Sequence, residues 1–259
     1  MKNNNDFYVA AYEMGAEQTP VATWASHSQN PLELTQHSPD TVQRHELTQI
    51  PASFQLTNLL TPSECQRFIK QTETLGYSQD ASVSLPRKVR QNENVVWIID
   101  DLTHDVIWER CQVLIAQAPQ LFHDKKAVAL NKRFRFYKYS EGDFFKPHTD
   151  GAWPGSAIIN KKVVANAYPK QYSEMTFLIL LSDDFEGGET TFYVHKGDAH
   201  KAAKRTEDVS IVEIKTPIGG VLCFPHGTHP QHCLHGSREI LKGIKYIIRT
   251  DLLFTQKSD

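Results

Sequence analysis

From about residue 130 onward the chain is written as short runs of β-branched and aromatic residues, and this limits its fold more than any other feature. FRFYKY, EMTFLILLS, TTFYV, VSIVEI, GGVLCFP and IKYIIRTDLLF follow one another, separated by glycine, proline and acidic turns. Helical patterns come only before them. Helices first and then a succession of strands predict an α+β, mainly β protein, a sandwich or barrel with helices on one side. The run Phe134 to Tyr139 alternates, so Arg135, Tyr137 and Tyr139 share one face of a strand and Phe134, Phe136 and Lys138 the other.

Upstream, the stretch from Ile50 to Leu60 suggests a strand. Thr61-Pro62-Ser63-Glu64 is a capping box with proline at the first helical position, Cys65, Phe68, Ile69 and Leu75 mark one helical face, and Gly76 ends it. A polar loop with Arg87, Lys88 and Arg90 leads to a buried strand, Val95 to Ile99. A second helix is expected with Thr103 as its cap, Val106, Ile107, Cys111, Leu114 and Ile115 on one stripe, and Pro119 beyond its end. Residues 1–46 are polar and weakly patterned, and are expected to form an extension, partly disordered or draped over the main domain.

Bulk properties exclude more than they assign. The net charge is −2, so nothing global points to nucleic acid or to a membrane surface. The longest apolar runs fall short of a bilayer span, and the first residues lack the apolar centre of a secretion signal. Cys65, Cys111, Cys223 and Cys233 are too sparse for a disulfide scaffold. A cytoplasmic protein is expected.

The chemistry is concentrated in two places. KYSEGDFFKPHTDGAW, from Lys138 to Trp153, sets His148 and Asp150 two residues apart after an aromatic strand. HGTHPQHCLHGS then places His226, His229, His232 and His235 at intervals of three. An isolated H-x-D is weak evidence in a chain with twelve histidines, and the second cluster alone reads as a histidine-rich loop. One of its histidines joined to His148 and Asp150 would make a two-histidine, one-carboxylate set with open positions for Fe(II) chemistry. Lys245 and Arg249 share a strand face with Ile247. A cation on the inner face of a sandwich needs an anion, which a dicarboxylate would supply.

Taken together, KYSEGDFFKPHTDG, SEMTFLILLSDDFEGGETTF, GGVLCFPH and LHGSREILKGIKYIIRTD resemble the Fe(II)/2-oxoglutarate-dependent dioxygenases of the prolyl 4-hydroxylase-like family. The resemblance is strong over about 130–254 and looser from about 48. It implies a double-stranded β-helix (jelly roll) over about 130–254, with supporting N-terminal helices, inside a dioxygenase domain at 47–259. Carried over residue by residue, it makes His148, Asp150 and His235 the iron ligands, with His226, His229 and His232 as rivals for the third place. Lys245 would meet the distal carboxylate of 2-oxoglutarate, Tyr139 would donate a further hydrogen bond, Thr190 borders the pocket, and Arg249 is an alternative or additional anchor. No catalytic residue beyond the metal ligands is implied. Fe(II), 2-oxoglutarate, O2 and ascorbate as reductant are the implied cofactors. The implied reaction is hydroxylation of an unactivated C–H bond coupled to decarboxylation of 2-oxoglutarate to succinate and CO2. Because Asp150 is present, hydroxylation is favoured over halogenation.

The acceptor is left open between a peptidyl, prolyl-like residue and a small molecule. The stretch GAWPGSAIINKKVVANAYPKQYS is long for a connection and reads as a candidate lid, with Trp153, Tyr168 and Tyr172 as substrate contacts and Lys161, Lys162 and Lys170 nearby. The segment from Pro86 to Asn94 reads as a mobile loop. A second insertion, His195 to Asp208, carries Lys196, Lys201, Lys204 and Arg205 and reads as a solvated face. Two other classes stay open on sequence: a non-catalytic metal- or ligand-binding jelly roll, and a zinc-dependent hydrolase using the histidine cluster.

Overall fold

The alternation in Phe134–Tyr139 is carried through the whole molecule: one sheet buries its two faces in two different environments. The computed structural model describes residues 6–36, 41–81, 87–117, 122, 125–198 and 206–255. In chain order, β1 (Phe7–Met14), β2 (Pro20–Ser26), β3 (Gln43–Glu46) and β4 (Phe54–Thr57) precede α1 (Pro62–Leu75). β5 (Arg90–Gln91) and β6 (Glu93–Ile98) precede α2 (Asp101–Ala116). Then come β7 (Ala127–Leu130), β8 (Arg133–Tyr139), β9 (Phe144–His148), β10 (Pro154–Ile159), β11 (Lys162–Leu180) and β12 (Phe185–Gly187). β13 (Thr190–His195), β14 (Val209–Ile214), β15 (Val221–Pro225), β16 (His235–Ser237), β17 (Ile240–Gly243) and β18 (Lys245–Thr255) complete the order.

The large sheet runs β1-β2-β6-β8-β18-β11-β15-β4-β3, with β10 beside β11 and β7 beside β18. A second sheet runs β14-β13-β16-β9-β5 and faces it across the pocket described below. This is a jelly-roll fold, mainly β, with two α-helices among the described residues.

On the outer face of the large sheet, Phe134 and Phe136 of β8, Phe177 of β11 and Ile248 of β18 pack with Phe68 of α1 and Ile107 and Cys111 of α2 in the main core. Phe136 stacks on Trp97 at 6.0 Å between ring centres, and Phe68 approaches Phe136 at 5.8 Å. Burying each of these side chains stabilises the fold by roughly 1.5–3 kcal/mol. The inner face carries Arg135, Tyr137, Tyr139, Thr176, Lys245 and Arg249, which line the cavity.

The helix signals in the sequence hold for α1, where the Thr61 and Glu64 side chains cap each other's backbone N–H. For α2 the cap is Asp100 rather than Thr103: its carboxylate accepts from the Thr103 backbone N–H at 2.9 Å, and the Thr103 hydroxyl donates to it as well. Aspartate one residue before the first turn wins because its acceptors reach the free N–H groups, while Thr103 already lies inside the helix. Pro119 lies outside the described residues. The strand expected over Ile50 to Leu60 shortens to β4.

Within residues 1–46, the described segments pair with the large sheet. β1 and β2 form a hairpin, and β2 pairs in parallel with β6 through Thr23–Val96 and Trp24–Trp97. β3 pairs with β4 at the opposite margin. Leu32 and Leu34 enter the main core, and Phe7 meets Trp97 edge-on at 4.9 Å. The segment therefore supplies both edge strands of the large sheet, β1 at one margin and β3 at the other.

The stretch read as a long lid is instead the hairpin β10–β11. Its two-residue turn, Asn160-Lys161, has φ of 51° and 61°, the conformation that suits the twist of a two-residue hairpin. The segment read as a mobile loop is partly strand: β5 pairs with β9, while Pro86 lies outside the described residues. All four cysteines are free and buried.

α1 and α2 are clamped by a buried ion pair. Arg110 donates to both carboxylate oxygens of Glu64, at 2.9 and 2.7 Å, and to the Leu59 carbonyl at 2.8 Å. Burial alone would raise the pKa of Glu64, but Arg110 and the capping N–H of Thr61 hold it below the ordinary 4.5. Its contribution is therefore complete above about 4.5 and is lost as pH falls through the lower folded-state value. Glu64→Gln should cost about 3–5 kcal/mol at neutral pH, because it strands the Arg110 charge. Urea unfolding in steps down to about pH 3 should show the gap between variant and wild type closing; a gap independent of pH would contradict the assignment.

Candidate active site

β9 and β16 pair antiparallel with His235 directly opposite His148, their ring centres 4.3 Å apart. Gly236 permits that pairing, since a Cβ there would come within 2.8 Å of the Phe145 carbonyl oxygen. After β9 the chain turns, and the Gly227 N–H donates to the Asp150 carbonyl at 2.9 Å, tying the turn to the histidine-rich loop.

The two rings share one tautomer. His148 Nδ1 lies 2.8 Å from the Lys146 carbonyl and His235 Nδ1 lies 3.1 Å from the Cys233 carbonyl. A carbonyl can only accept, so each Nδ1 carries the proton and each Nε2 keeps a free lone pair. Both Nε2 atoms face Asp150, at 3.7 Å from Oδ1 for His148 and 3.6 Å from Oδ2 for His235. Burial, then the neighbouring His235, pushes His148 down to about 4, and burial also lowers His235. Both rings are neutral near pH 7, the form that ligates metals. The candidate ligand atoms of His148, Asp150 and His235 all lie within 4.8 Å of one another. Two imidazole nitrogens and a carboxylate grouped at the mouth of a cavity fit the donor set of a non-haem Fe(II) site.

Asp150 is held by a chain of hydrogen bonds. Trp153 N–H donates to Ser173 Oγ at 2.8 Å, and Ser173 and Thr176 hydroxyls flank His226 at 2.8 Å on Nε2 and Nδ1. Thr176 Oγ1 donates to Asp150 Oδ2 at 2.7 Å, which fixes the order of donors: Ser173 to His226, His226 to Thr176, Thr176 to Asp150. Arg249 Nη2 lies 3.4 Å from Asp150 and 3.0 Å from Asp251, which is fully buried. Burial opposes ionisation of Asp150, but the Arg249 guanidinium holds its carboxyl far below the usual range.

His226 is thus a support for Asp150 rather than a rival ligand. His229 and His232 stay in their own loop, with the His229 ring accepting from Gln231 N–H and the His232 ring near the His229 carbonyl. Among the described residues the metal-compatible group is the triad.

The cavity holds about 240 Å³. Its floor is the pairing of β8 with β18, where Tyr139 is opposite Lys245, Tyr137 opposite Ile247 and Arg135 opposite Arg249. Lys245 is buried, donates to the Gly188 carbonyl at 2.5 Å and to Ser237 Oγ at 3.3 Å, and lies 5.6 Å from the centre of the Tyr139 ring. Burial pushes its ammonium down to about 8, against a raising contribution from Glu189. Thr190 and Trp153 line the cavity as the sequence suggests. Tyr168 and Tyr172 do not: they belong to the hairpin, Tyr168 opposite Gly155 with its hydroxyl 3.1 Å from Lys132, and Tyr172 opposite Pro154. Lys161, Lys162 and Lys170 lie in the same hairpin and are likewise absent from the cavity lining. Lys196 edges a separate surface depression with His195, and Lys201, Lys204 and Arg205 lie outside the described residues. Sequence reasoning missed Arg90, Arg135 and Thr176, which line the cavity, and Ser173 and Asp251 behind it. Only the alternation in β8 pointed toward Arg135.

No protein-family model matches the chain. Prolyl 4-hydroxylase 13 of Arabidopsis thaliana is 25% identical over 215 residues, covering 78% of this chain and 71% of that protein. Among solved structures, a prolyl hydroxylase from Trichoplax adhaerens, in complex with a hypoxia inducible factor oxygen degradation domain peptide fragment, superimposes with a TM-score of 0.52 at 13% identity, over 80% of this chain and 84% of that one. The viral collagen prolyl hydroxylase of Paramecium Bursaria Chlorella virus-1, in a 2-oxoglutarate complex, gives 0.44 at 16% identity, over 84% and 97%. Ligand set and curated relative make the chain similar to the 2-oxoglutarate/Fe(II)-dependent dioxygenases. Within that class the similarity is to the prolyl 4-hydroxylases.

Thr176 reaches Asp150 directly, so its hydroxyl should tune metal affinity. Thr176→Val should weaken Mn(II) binding about 10- to 100-fold, read by equilibrium titration. An unchanged affinity would show that the hydroxyl does not orient the carboxylate.

Proposed function

We propose that the protein hydroxylates an unactivated C–H bond, with 2-oxoglutarate converted to succinate and CO2, at a site formed by His148, Asp150, His235 and Lys245. The observation that carries this reading is the convergence of the three ligand side chains beside a buried lysine in one cavity. Bound Fe(II) and 2-oxoglutarate would supply the O2 chemistry.

The chain's own part is ligation, orientation and shelter. His148 and His235 offer Nε2 lone pairs held by their Nδ1 hydrogen bonds. Lys245 has three donors and uses two on Gly188 and Ser237, so one remains for the distal carboxylate of 2-oxoglutarate, and the Tyr139 ring centre is 5.6 Å away. Arg249 is the weaker candidate for that anchor, because its charge already serves Asp150 and Asp251. Phe145, Leu178, Phe224 and Ile247 make the walls apolar and limit water around the reacting centre. The acceptor is a peptidyl residue or a small molecule; the Arabidopsis relative carries a prolyl hydroxylase name, and the Trichoplax structure holds a peptide, which supports the peptidyl reading. Ascorbate is the reductant we expect to sustain turnover.

Under air, with Fe(II) and ascorbate, the protein should form succinate from 2-oxoglutarate. His148→Ala and His235→Ala should abolish this and His229→Ala should not; the reverse pattern for the last two would move the third ligand. If wild type forms no succinate and also fails to bind 2-oxoglutarate without oxygen, the reading is wrong.

Lys245→Ala should weaken 2-oxoglutarate binding about 10- to 100-fold, the worth of a charge-assisted contact, and Mn(II) binding much less. Because the free ammonium titrates near 8, 2-oxoglutarate affinity should fall as pH rises past that value, and Lys245→Arg should flatten the fall. An equal pH dependence in both proteins would assign it to another group.

A further inference from the structure

The inner floor of the cavity carries its cations at two ends. Lys245 and Tyr139 are paired at one end, Arg249 and Arg135 at the other, four residues along the same two strands. At about 3.3 Å per residue the two ends are roughly 13 Å apart. In the reading proposed above, the cosubstrate takes the lysine end. Arg249 at the other end forms ion pairs with Asp150 at 3.4 Å and Asp251 at 3.0 Å, although its Nε and Nη2 make no hydrogen bond among the described residues.

Arg135 is different. It lines the cavity, it is only 3% exposed, and all three of its guanidinium nitrogens lack a hydrogen-bond partner among the described residues. Asp251 lies 3.7 Å away, too far for a hydrogen bond, and is closer to Arg249 at 3.0 Å. The Trp153 ring covers the guanidinium at 4.7 Å from its centre. A guanidinium stacked on an aromatic face keeps its N–H groups directed outward in its own plane. Leaving those donors buried and unmet is costly.

Charge points the same way. Lys245, Arg135 and Arg249 stand against the carboxylates of Asp150 and Asp251. A divalent metal and a dicarboxylate cosubstrate cancel each other, so one positive charge remains in the loaded site. Arg90 adds to it beside Tyr137 and Phe145.

We propose that Arg135, backed by Trp153, receives a carboxylate of the acceptor, so that the acceptor of this dioxygenase is a carboxylic acid. The planar fork of the arginine suits a bidentate carboxylate, and the triad sits next to this end of the floor, placing carbons near the acid group within reach of the metal. The inference rests on the 2-oxoglutarate reading and adds the substrate class. A free amino acid and the C-terminal carboxylate of a peptide present the same group.

The test is calorimetric, in two stages, with Mn(II) as a redox-inert metal. 2-Oxoglutarate is titrated first; failure to bind would overturn the cofactor reading, and this inference with it. The loaded protein is then titrated with free amino acids and with N-acetyl amino acids, each beside its primary amide. The expected result is at least one acid that binds about tenfold or more tightly than its amide, the loss of a charge-assisted hydrogen bond. Binding confined to free amino acids marks a small-molecule acceptor, and binding by the N-acetyl series marks a peptide terminus. Arg135→Gln should erase the acid–amide difference and Arg135→Lys should restore part of it. The comparison in wild type stands even if Arg135→Gln folds poorly. If 2-oxoglutarate binds and no acid is preferred over its amide, the inference fails while the cofactor reading stands.

Discussion

The site depends on keeping Asp150 ionised in a place where burial alone would neutralise it. A carboxylate removed from water is costly unless cations and hydrogen-bond donors replace the lost hydration. Here Arg249 stands on one side and the Thr176 hydroxyl donates on another, while the two neutral imidazoles present lone pairs to the same space. Arg249 is itself buried and is balanced by Asp251, two residues further along β18. The candidate metal-binding carboxylate is thus the outer member of a charge array whose inner members, Arg249 and Asp251, are buried. Such an array forms only if β8, β18 and β11 are in register, because a slip of one residue would turn Arg135, Thr176 and Arg249 to the opposite face.

Register is set by the other side of the same sheet. Phe134, Phe136, Phe177 and Ile248 are locked under α1 and α2, and their alternation with the polar set leaves no other way to pair the strands. The helices contribute nothing to the chemistry directly, yet the packing beneath them decides which residues look into the cavity. The second sheet adds the two histidines as a cross-strand pair, so the ligand spacing is a property of strand pairing and not of one flexible loop.

The candidate triad and Lys245 were legible because their spacing is short in sequence: H-x-D at and just past the end of β9, and ten residues from His235 in β16 to Lys245 at the start of β18. The choice among four histidines rested on that spacing and on the resemblance. What made His226 a support is its pair of hydroxyl partners, Ser173 and Thr176, which come from β11, more than fifty residues away in one case. Pairings between distant strands leave no local trace. The N-terminal strands were illegible for other reasons: β1, FYVAAYEM, is apolar without alternation, the buried positions of β2 are Val21, Thr23 and Ala25, and β3, QRHE, is polar throughout. The β10–β11 hairpin was hidden because Asn160-Lys161 is a weak turn signal beside Asn-Gly. Tyr168 and Tyr172 were nominated by residue type, and the hairpin carries them away from the cavity.

The most direct test of the account is a crystal grown without oxygen in Fe(II) and 2-oxoglutarate, with the metal located by its anomalous scattering. The account predicts one iron bound by His148 Nε2, an Asp150 carboxylate oxygen and His235 Nε2, with the far carboxylate of 2-oxoglutarate on Lys245. Iron seated instead in the loop of His226, His229 and His232, or a dicarboxylate anchored on Arg249, would contradict it.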